Sequence, residues 1–557
     1  MNPLEKFKEE CKELAAGYED LLEIPKSHAD FALPCFSLAK IHARNPVEIA
    51  SELAEEFQKK IKPGLVKDVK SLGPYVNFYI NNDEFSKQVL AQISKEKEKY
   101  GSVKKNKRKI MVEYSSPNSN KPLHIGHLRN QSIGLSIANI LKFSGNKVII
   151  ANLVNDRGAH ICKSMLAYQK WGLKENPKKS KIKGDHLLGN YYVMFEKNKS
   201  EELEKEIQKM LVKWEKKDKK TRALWKTMNS WWLSGAKETY KTFGDKFDAW
   251  FFESKLYDKA KPIIKQGLEK NIFFKNEKGA ILAQLESHGL PNKTFLREDG
   301  TSIYSTNDLI LTKTKFEKYK IDKSVWIVAS EQELYFKQLF KTFELLGYDW
   351  YKNCHHMSYG LVNLPSGRMK SREGTVVDAD DLIEELRNLA KKELEKREKL
   401  PKKILDSRAK EIAVGAIRYY LVKIDPRNDM LFNPEESISL EGNTGPYLQY
   451  TYARANSILK KAKKKPKIGI LKEESEINLI KRISEFPNII EKSAKDLKPS
   501  ILANYTFDLA TLFNEYYQNV KVIDSENEQA KLTLVLNVKQ VLENCLNLLG
   551  IKPLEKM

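Results

Sequence analysis

Two histidines three positions apart are the residues of this chain best suited to chemistry. His124 and His127 follow a predicted strand and stand where a predicted helix begins. The amino end of a helix carries unpaired N–H groups and the positive end of the helix dipole, and therefore attracts phosphate. Side chains at positions i and i+3 share one face, so both rings can donate hydrogen bonds to phosphate oxygens. An isolated pair of this kind is more often a surface coincidence or half of a metal site, but the strand–turn–helix context favours nucleotide chemistry.

The residues around the histidines and a second, basic segment support the same chemistry. Gly126 leaves room for an adenine base beside the backbone, and Pro122 fixes the turn into the helix. Residues 367–374 (GRMKSREG) are basic and flanked by glycines, so they can close over a triphosphate and neutralise departing pyrophosphate. By itself this segment is more typical of a solvated loop, and it gains weight only beside the histidines.

The elements that must position these segments form an α/β pattern. Residues 110–114 predict a strand, residues 127–143 a helix and residues 147–154 the next strand. This order is typical of a right-handed parallel βαβ unit, the nucleotide-binding half of a doubly wound sheet. Strand-like segments return at residues 324–329 and 356–362, and the interval 165–300 predicts a helical insertion.

Both flanks of the α/β region differ from it. Before it, helical spacing at residues 5–22, an amphipathic helix at 46–61 and alternating segments at 66–69 and 75–80 predict a small α+β domain. From about residue 405 the chain is nearly all helix, which predicts a helical bundle. We therefore predict a multidomain α/β protein with domains at residues 1–105, 106–425 and 426–557.

Composition narrows the class of protein. The 557 residues carry a formal charge of +23, which points to a polyanionic partner, nucleic acid first, although a general preference for lysine over arginine would also raise it. No apolar run reaches the ~18–20 residues that span a bilayer, and the first residues lack a signal peptide's apolar core, so a cytoplasmic protein is expected. Its five cysteines form no CxxC pair, so we expect neither zinc nor disulfides.

Residues 112–129 (VEYSSPNSNKPLHIGHLR) and 367–374 resemble the HIGH and KMSKS signatures of class I aminoacyl-tRNA synthetases, and the first is similar to its arginyl-tRNA synthetase form. Further similarities cover residues 155–158 (NDRG), 360–362, 441–454 and 507–517. The resemblance extends over essentially the whole chain. It implies a Rossmann-type catalytic domain, an additional amino-terminal tRNA-binding domain and a helical anticodon-binding domain.

The resemblance also implies roles for individual residues. Arginine's guanidinium group requires carboxylates and planar acceptors in a fork. The implied arginine-binding residues are Glu113, Asn118, Tyr304, Asp308 and Gln332. Among them, Glu113 and Asp308 are expected on the guanidinium side with Tyr304 as a wall, and Asn118 and Gln332 at the polar end. The implied ATP-binding residues are His124, Gly126, His127, Gly360, Met369 and Ser371.

The signature loop departs from the family pattern at one position. Aligned on Met369, the usual late lysine is replaced by Ser371, and Lys370 stands one residue early. In many arginyl enzymes a lysine just before HIGH is thought to substitute, and Lys121 occupies that place. We expect Lys121 to act on phosphate, with Lys370 as the second candidate. Arg157, in place of the commoner tryptophan, has no assigned role.

The implied reaction activates arginine with ATP, releases pyrophosphate and transfers arginine to the 3′ end of tRNA(Arg), with Mg²⁺ accompanying ATP and no resident metal. A monomer is expected.

Three alternatives to this function remain. The first is a class I synthetase of another specificity, which would typically carry zinc cysteines or a large editing domain. The second is a catalytically silent RNA-binding relative, which should have lost His124, His127 or Asp308. The third, a generic nucleotidyltransferase with a helical tail, does not explain residues 441–454 and 504–522.

Overall fold

The amino-terminal unit is a three-stranded antiparallel sheet covered by helices. The structure of the whole chain is a computed structural model, which describes residues 2–25, 29–103, 108–172, 174–363 and 377–557. The strand order is β1-β3-β2. The predicted helix at residues 5–22 is shorter than expected, because α1 ends at Leu14 and a 3₁₀ turn follows. The elements are α1 Pro3–Leu14, β1 Phe31–Pro34, α2 Phe36–His42, α3 Pro46–Lys60, β2 Val66–Leu72, β3 Tyr75–Ile80 and α4 Asn82–Glu96.

A five-stranded parallel sheet forms the centre of the molecule. Its order is β11-β10-β4-β5-β6, and β4–α5–β5 is the predicted βαβ unit. The chain leaves β4 towards β5 on one side, whereas β10 pairs with β4 on the other, so a topological switch point lies between β4 and β10. The strands are β4 Lys109–Glu113, β5 Lys147–Val154, β6 Ala249–Phe252, β10 Lys323–Ala329 and β11 Cys354–Tyr359, and helix α5 spans Ile125–Phe143.

The interval expected to be a helical insertion also contains strands. Its segment β6 completes the central sheet, and β7, β8 and β9 form a separate antiparallel sheet. Strands of three or four residues are too short for a clear alternation of apolar and polar residues, which is why the sequence pattern missed them. The further elements between β5 and β11, of which α12 and α13 follow the insertion, are α6 Ala159–Trp171, α7 Pro177–Ser180, α8 Gly184–Lys197, α9 Glu201–Glu215, α10 Lys219–Phe243, α11 Lys261–Glu269, β7 Phe273–Lys275, β8 Ile281–Ala283, β9 Lys293–Leu296, α12 Tyr304–Tyr319 and α13 Glu333–Leu345.

Helices dominate the remainder of the chain, as predicted. The strand expected at residues 356–362 is divided, because β11 ends at Tyr359 and the next two residues lead into the short strand β12, which pairs with β13. The elements are β12 Val362–Asn363, α14 Ala379–Arg397, α15 Lys402–Val422, β13 Met430–Leu431, α16 Pro434–Ser437, α17 Gly445–Lys461, α18 Glu474–Ser484, α19 Phe486–Asp496, α20 Pro499–Asn519 and α21 Glu528–Leu548.

The amino-terminal unit packs directly on the carboxy-terminal bundle. The Tyr100 hydroxyl donates to the carbonyl of Ile483 at 3.1 Å, and the Asn544 amide donates to the carbonyl of Lys97 at 3.2 Å. One apolar core runs through the amino-terminal unit, one face of the central sheet and the bundle. Within the described residues, no helix combines the length and apolar character needed to cross a membrane.

Candidate active site

Several of the predicted site residues lie at the carboxyl edge of the central sheet. Glu113 ends β4, Asn155 follows β5, Gln332 lies shortly after β10 and Gly360 follows β11. Ligands of open parallel sheets bind outside the carboxyl ends of the strands, close to the switch point. The edge between β4 and β10 is therefore the candidate active site.

The turn into helix α5 orients the two histidines. His124 precedes the helix in an extended conformation, and its backbone N–H donates to Nδ1 of His127 at 3.1 Å. That contact leaves the His127 proton on Nε2, where it can be donated to a ligand. The two rings lie 4.0 Å apart between centroids, and a Cβ at Gly126 would lie 3.0 Å from the His124 ring. Gly126 therefore leaves space for that ring.

Both histidines are held neutral. Burial first, and then the charge of Lys121, lower the pKa of His124 to about 3. Burial and the neighbouring His124 and Lys121 lower the pKa of His127 well below its usual value. Neutral imidazoles act as hydrogen-bond donors and acceptors instead of proton sources near pH 7. The pair is suited to stabilising charge on a ligand, and not to general acid catalysis.

Lys121 lies beside the histidines at a cavity of about 200 Å³, which its side chain lines together with His124 and Asp378. Its carbonyl accepts a hydrogen bond of 2.8 Å from Nε1 of Trp232, which fixes the turn before α5. Burial lowers the pKa of Lys121, and within the described residues its ammonium group forms no ion pair. We name Lys121, His124 and His127 the basic end of the site.

A cluster of acidic groups lies around Glu113, at the carboxyl end of β4. The Tyr335 hydroxyl donates a hydrogen bond to Asp308, and the carboxylate of Glu113 lies 2.8 Å from the ammonium group of the fully buried Lys315. Burial raises the pKa of Asp308 to about 7, and the charge of Glu113 acts in the same direction. We name Glu113, Asp308 and Tyr335 the acidic end. Sequence reasoning missed Tyr335, although it lies three positions after Gln332 on the first turn of α13.

Tyr304, the predicted wall residue, contacts Tyr335 of the acidic end. Its ring meets the Tyr335 ring edge-on, with centroids 4.9 Å apart. Its hydroxyl accepts a hydrogen bond of 3.0 Å from Lys293, whose ammonium group also lies 4.9 Å from the centroid of the Tyr335 ring. Because the Tyr304 side chain is 48% exposed, it borders the opening of the cluster and not its interior.

The other two predicted arginine ligands form no hydrogen bond with the acidic end among the described residues. Asn118 is exposed, and its backbone forms a parallel bridge with Asn155. Gln332 is half-buried at the end of the 3₁₀ turn before α13. Among the described residues, neither side chain hydrogen-bonds to Glu113, Asp308 or Tyr335. Their roles stay predictions.

Arg157 is a buried structural residue. It forms ion pairs with Glu215 and, at 3.7 Å, with Glu253, and its guanidinium group lies 4.9 Å from the Tyr257 ring. Glu253 in turn accepts a hydrogen bond of 2.7 Å from Asn307, the neighbour of Asp308. Arg157 thereby connects the end of β5 to α9 and to the segment after β6. Because its partners lie 58 or more residues further along the chain, the local sequence could not predict the role of Arg157.

Gly360 contributes through close packing. A Cβ at this position would lie 2.5 Å from the backbone of Asn428, so only glycine fits. Buried Arg129 of α5 holds the same two backbone segments together. Its guanidinium group donates hydrogen bonds to the carbonyls of Leu361, Pro426 and Asn428 at 2.7–3.1 Å. Sequence reasoning did not single out Arg129, and no local signal distinguishes it. The predicted residues Met369, Lys370 and Ser371 lie outside the described residues.

Three family models match the chain along most of its length. The model "tRNA synthetases class I (R), catalytic domain" matches residues 88–434. The "Arginyl tRNA synthetase N terminal domain" matches residues 4–80, and the "DALR anticodon binding domain" matches residues 448–557.

Whole-chain relatives agree with these matches. The arginine–tRNA ligase of Treponema denticola is 43% identical, with 95% of this chain and 93% of the relative covered. That of Bacteroides thetaiotaomicron is 40% identical, with 97% and 96% covered. The solved structure of Thermus thermophilus arginyl-tRNA synthetase is similar with a TM-score of 0.82, 25% identity and 99% of each chain covered.

Proposed function

Because this chain belongs to the arginyl-tRNA synthetases of class I, we propose that the acidic and basic ends of its sheet edge carry out its reaction. The chain is an arginine–tRNA ligase that uses ATP. The arginine carboxylate attacks the α-phosphorus of ATP, and pyrophosphate leaves. The terminal ribose hydroxyl of tRNA(Arg) then attacks the carbonyl of the adenylate, and AMP leaves. This activity is supported over the two alternatives of a class I synthetase with another specificity and a catalytically silent RNA-binding protein.

The acidic end is the proposed binding site for the guanidinium group. Two carboxylates, Glu113 and Asp308, share one buried cation, Lys315. This unbalanced negative charge is the observation that carries the proposal. A guanidinium group supplies the missing positive charge and can donate to both carboxylates in a planar fork. Tyr304 then covers the group, and Asn118 and Gln332 hold the polar end of the amino acid.

The basic end is the proposed binding site for the ATP phosphates. Lys121 supplies a positive charge that forms no ion pair among the described residues, and neutral His124 and His127 supply hydrogen-bond donors beside the amino end of α5. We also propose that Gly126, Gly360, Met369 and Ser371 contact ATP, and that Lys370 is the second candidate for the displaced lysine. Neither step requires a covalent protein nucleophile. Catalysis consists of positioning and charge stabilisation.

Mg²⁺ is proposed to enter as the complex with ATP. Asp378 lines the cavity beside Lys121, whereas the nearby Asp380 is engaged by Lys183 and His186. One carboxylate is too few for an all-protein site, but suits a Mg²⁺ ion that is bound mainly by phosphate oxygens and water. When bound, the ion neutralises phosphate charge.

The same family membership supports a proposed division of the chain. We propose domains at residues 1–105, 106–425 and 426–557, with the first and third binding tRNA(Arg) and the insertion at about 165–300. We further propose that the protein acts as a monomer in the cytoplasm. Sedimentation of the pure protein with and without tRNA tests the monomer, and a dimer at micromolar concentration would contradict it.

Charging of purified tRNA with each of the twenty amino acids tests the proposed site. Wild type should charge arginine alone, and Asp308→Asn should lose arginine charging. Asp299→Asn, in an exposed loop beside α12, is the matched control and should retain it. Equal arginine kcat/KM in wild type and Asp308→Asn would contradict the proposed guanidinium site. The same preparation should show little pyrophosphate exchange without tRNA.

A further inference from the structure

Helix α8 of the insertion packs unusually close to the turn that carries Lys121. At Gly189, a Cβ would lie 2.8 Å from the ring of Pro122. At Gly184, a Cβ would lie 2.1 Å from the carbonyl of Trp231 on α10. Side chains at these glycines would separate the helices and the turn. The sequence therefore places the backbone of α8 directly against the active-site turn.

One face of α8 lines the cavity at the basic end. His186, Gly189, Asn190 and Val193 follow the i, i+3, i+4, i+7 spacing of one helix face, and all four border the cavity together with Lys121. The insertion thus contributes a wall of the cavity that contains the proposed phosphate-binding lysine.

Polar contacts fasten this wall to the start of α14. Nε2 of His186 lies 3.0 Å from Oδ2 of Asp380 and 3.5 Å from Oδ1 of Asp378. The ammonium group of Lys183, just before α8, lies 2.5 Å from Asp380 and 3.2 Å from Asp185. His186 is therefore the residue that both lines the cavity and contacts the two carboxylates of α14.

The start of α14 is in turn paired with the histidine turn. The N–H of Ile125 donates to the carbonyl of Val377 at 3.2 Å, and the N–H of Ala379 donates to that of Leu123 at 3.0 Å. Asp378 therefore stands opposite His124 in an antiparallel bridge. A displacement of α8 or of Asp378 would be transmitted through this pairing to His124.

A divalent cation is the other occupant that this cluster suggests. Asp185, His186 and Asp380 bring their ligand atoms within 4.8 Å of one another. However, the Lys183 ammonium group already contacts Asp185 and Asp380 and donates to the hydroxyl of Thr239. The ammonium group of Lys183 thus already lies between the two carboxylates, where a metal ion would have to bind. The contacts favour a fixed polar link over a metal site.

We propose that His186 is a positioning residue for arginine activation, which ties helix α8 to Asp378 and Asp380 and so fixes the cavity wall opposite Lys121 and His124. The proposal rests on the role in phosphate binding that is proposed for Lys121 and His124. Misplacement of such a wall by about 1 Å lowers the rate without removing any reacting group.

The test is pyrophosphate exchange in the presence of tRNA, with full titrations of ATP and arginine. His186→Ala should raise the KM for ATP and lower kcat, each by about tenfold, and leave the KM for arginine unchanged. His186→Gln keeps an N–H donor near the place of Nε2 and should recover most of the loss. Glu196→Gln, which breaks the 2.7 Å ion pair of α8 with Lys163, is the matched control and should behave as wild type.

The outcomes separate the two proposals. If Lys121→Ala leaves the KM for ATP and kcat unchanged, the proposed phosphate site fails. If Lys121→Ala is impaired but His186→Ala is not, the inference alone is overturned. Equal losses in His186→Ala and Glu196→Gln would indicate a merely structural effect of α8 and also overturn it. Stoichiometric binding of Mn²⁺ to the ATP-free enzyme, abolished by His186→Ala, would assign the cluster to a metal and overturn it too. Should His186→Ala not fold, His186→Leu, which fills the space without an N–H donor, replaces it in the same titrations, and wild-type ATP parameters in that variant would overturn the inference.

Discussion

At the acidic end, two carboxylates share one buried ammonium group, whereas at the basic end the ammonium group and the two imidazoles form no ion pair among the described residues, although Asp378 lines the same cavity. The pKa of Asp308 is raised, and the pKa values of Lys121 and His124 are lowered, so both ends shift towards their neutral forms. Burial is the main cause in each case. Under the proposed roles, the acidic end lacks a positive charge, which the guanidinium group of arginine supplies when it binds. The basic end lacks a negative charge, which the phosphates of ATP supply.

The largest expected effect comes from removing the internal cation of the acidic end. Lys315→Met leaves Glu113 and Asp308 without a counter-ion and should lower the free energy of unfolding by about 3–5 kcal/mol. Urea unfolding at pH 8 measures it. The control variant, Lys313→Met, breaks the exposed ion pair with Glu317 on the same helix. It should change the free energy of unfolding by only about 0.5 kcal/mol. Similar values for both variants would show that the acidic end does not depend on Lys315.

The next effect should appear at the basic end. Lys121→Ala should lower kcat for arginine activation by about 10²–10³-fold, because a positive charge beside the phosphates is lost. The KM for arginine should remain unchanged, since Lys121 is not part of the acidic end. Lys147→Ala, exposed at the opposite edge of the sheet, is the control. A change confined to the KM for arginine would reverse the assignment of the two ends.

A pH titration should distinguish the ends without mutation. Asp308 must be ionised to pair with a guanidinium group, and its pKa in the free protein is about 7. The KM for arginine should therefore rise about tenfold per pH unit below pH 7. The KM for ATP should show no such rise down to pH 6, because His124, with a pKa of about 3, stays neutral. Parallel pH profiles for both substrates would contradict the comparison.

The smallest effect concerns stability. The folded-state pKa of Asp308 lies above its unfolded value of 3.8, so ionisation between about pH 4 and 7 destabilises the folded protein. Asp308→Asn removes this cost and should gain on the order of 1 kcal/mol relative to wild type at pH 8, after screening by solvent, but not at pH 4. Thermal unfolding at both pH values measures the difference, and a relative loss at pH 8 would contradict it.

The fold could largely be predicted, because its signals are local. The short apolar segment at β4 and the helical segment at α5 predicted the βαβ unit, and the long helical stretches near the carboxyl end predicted the bundle. The strand β6 was missed because four residues inside a helical interval carry no distinguishable period. The family and the activity followed from motifs that the comparisons confirm.

The site was only partly predictable for a different reason. His124, His127 and Lys121 belong to one continuous turn, so their proximity follows from the sequence. Tyr335 and Arg157 act through partners on other elements, and a single sequence contains no record of such contacts. The same holds for His186, whose partners Asp378 and Asp380 lie nearly 200 residues away along the chain.

The three carbonyl contacts of Arg129 have a consequence for how the protein is made. Their acceptors lie 232–299 residues further along the chain, so none exists when helix α5 leaves the ribosome. At about 5–20 residues per second, synthesis of that interval takes roughly 15–60 s. During this time the guanidinium group can be hydrated only if α5 remains incompletely packed. The active-site edge is therefore completed late in translation, after the chain has passed Asn428.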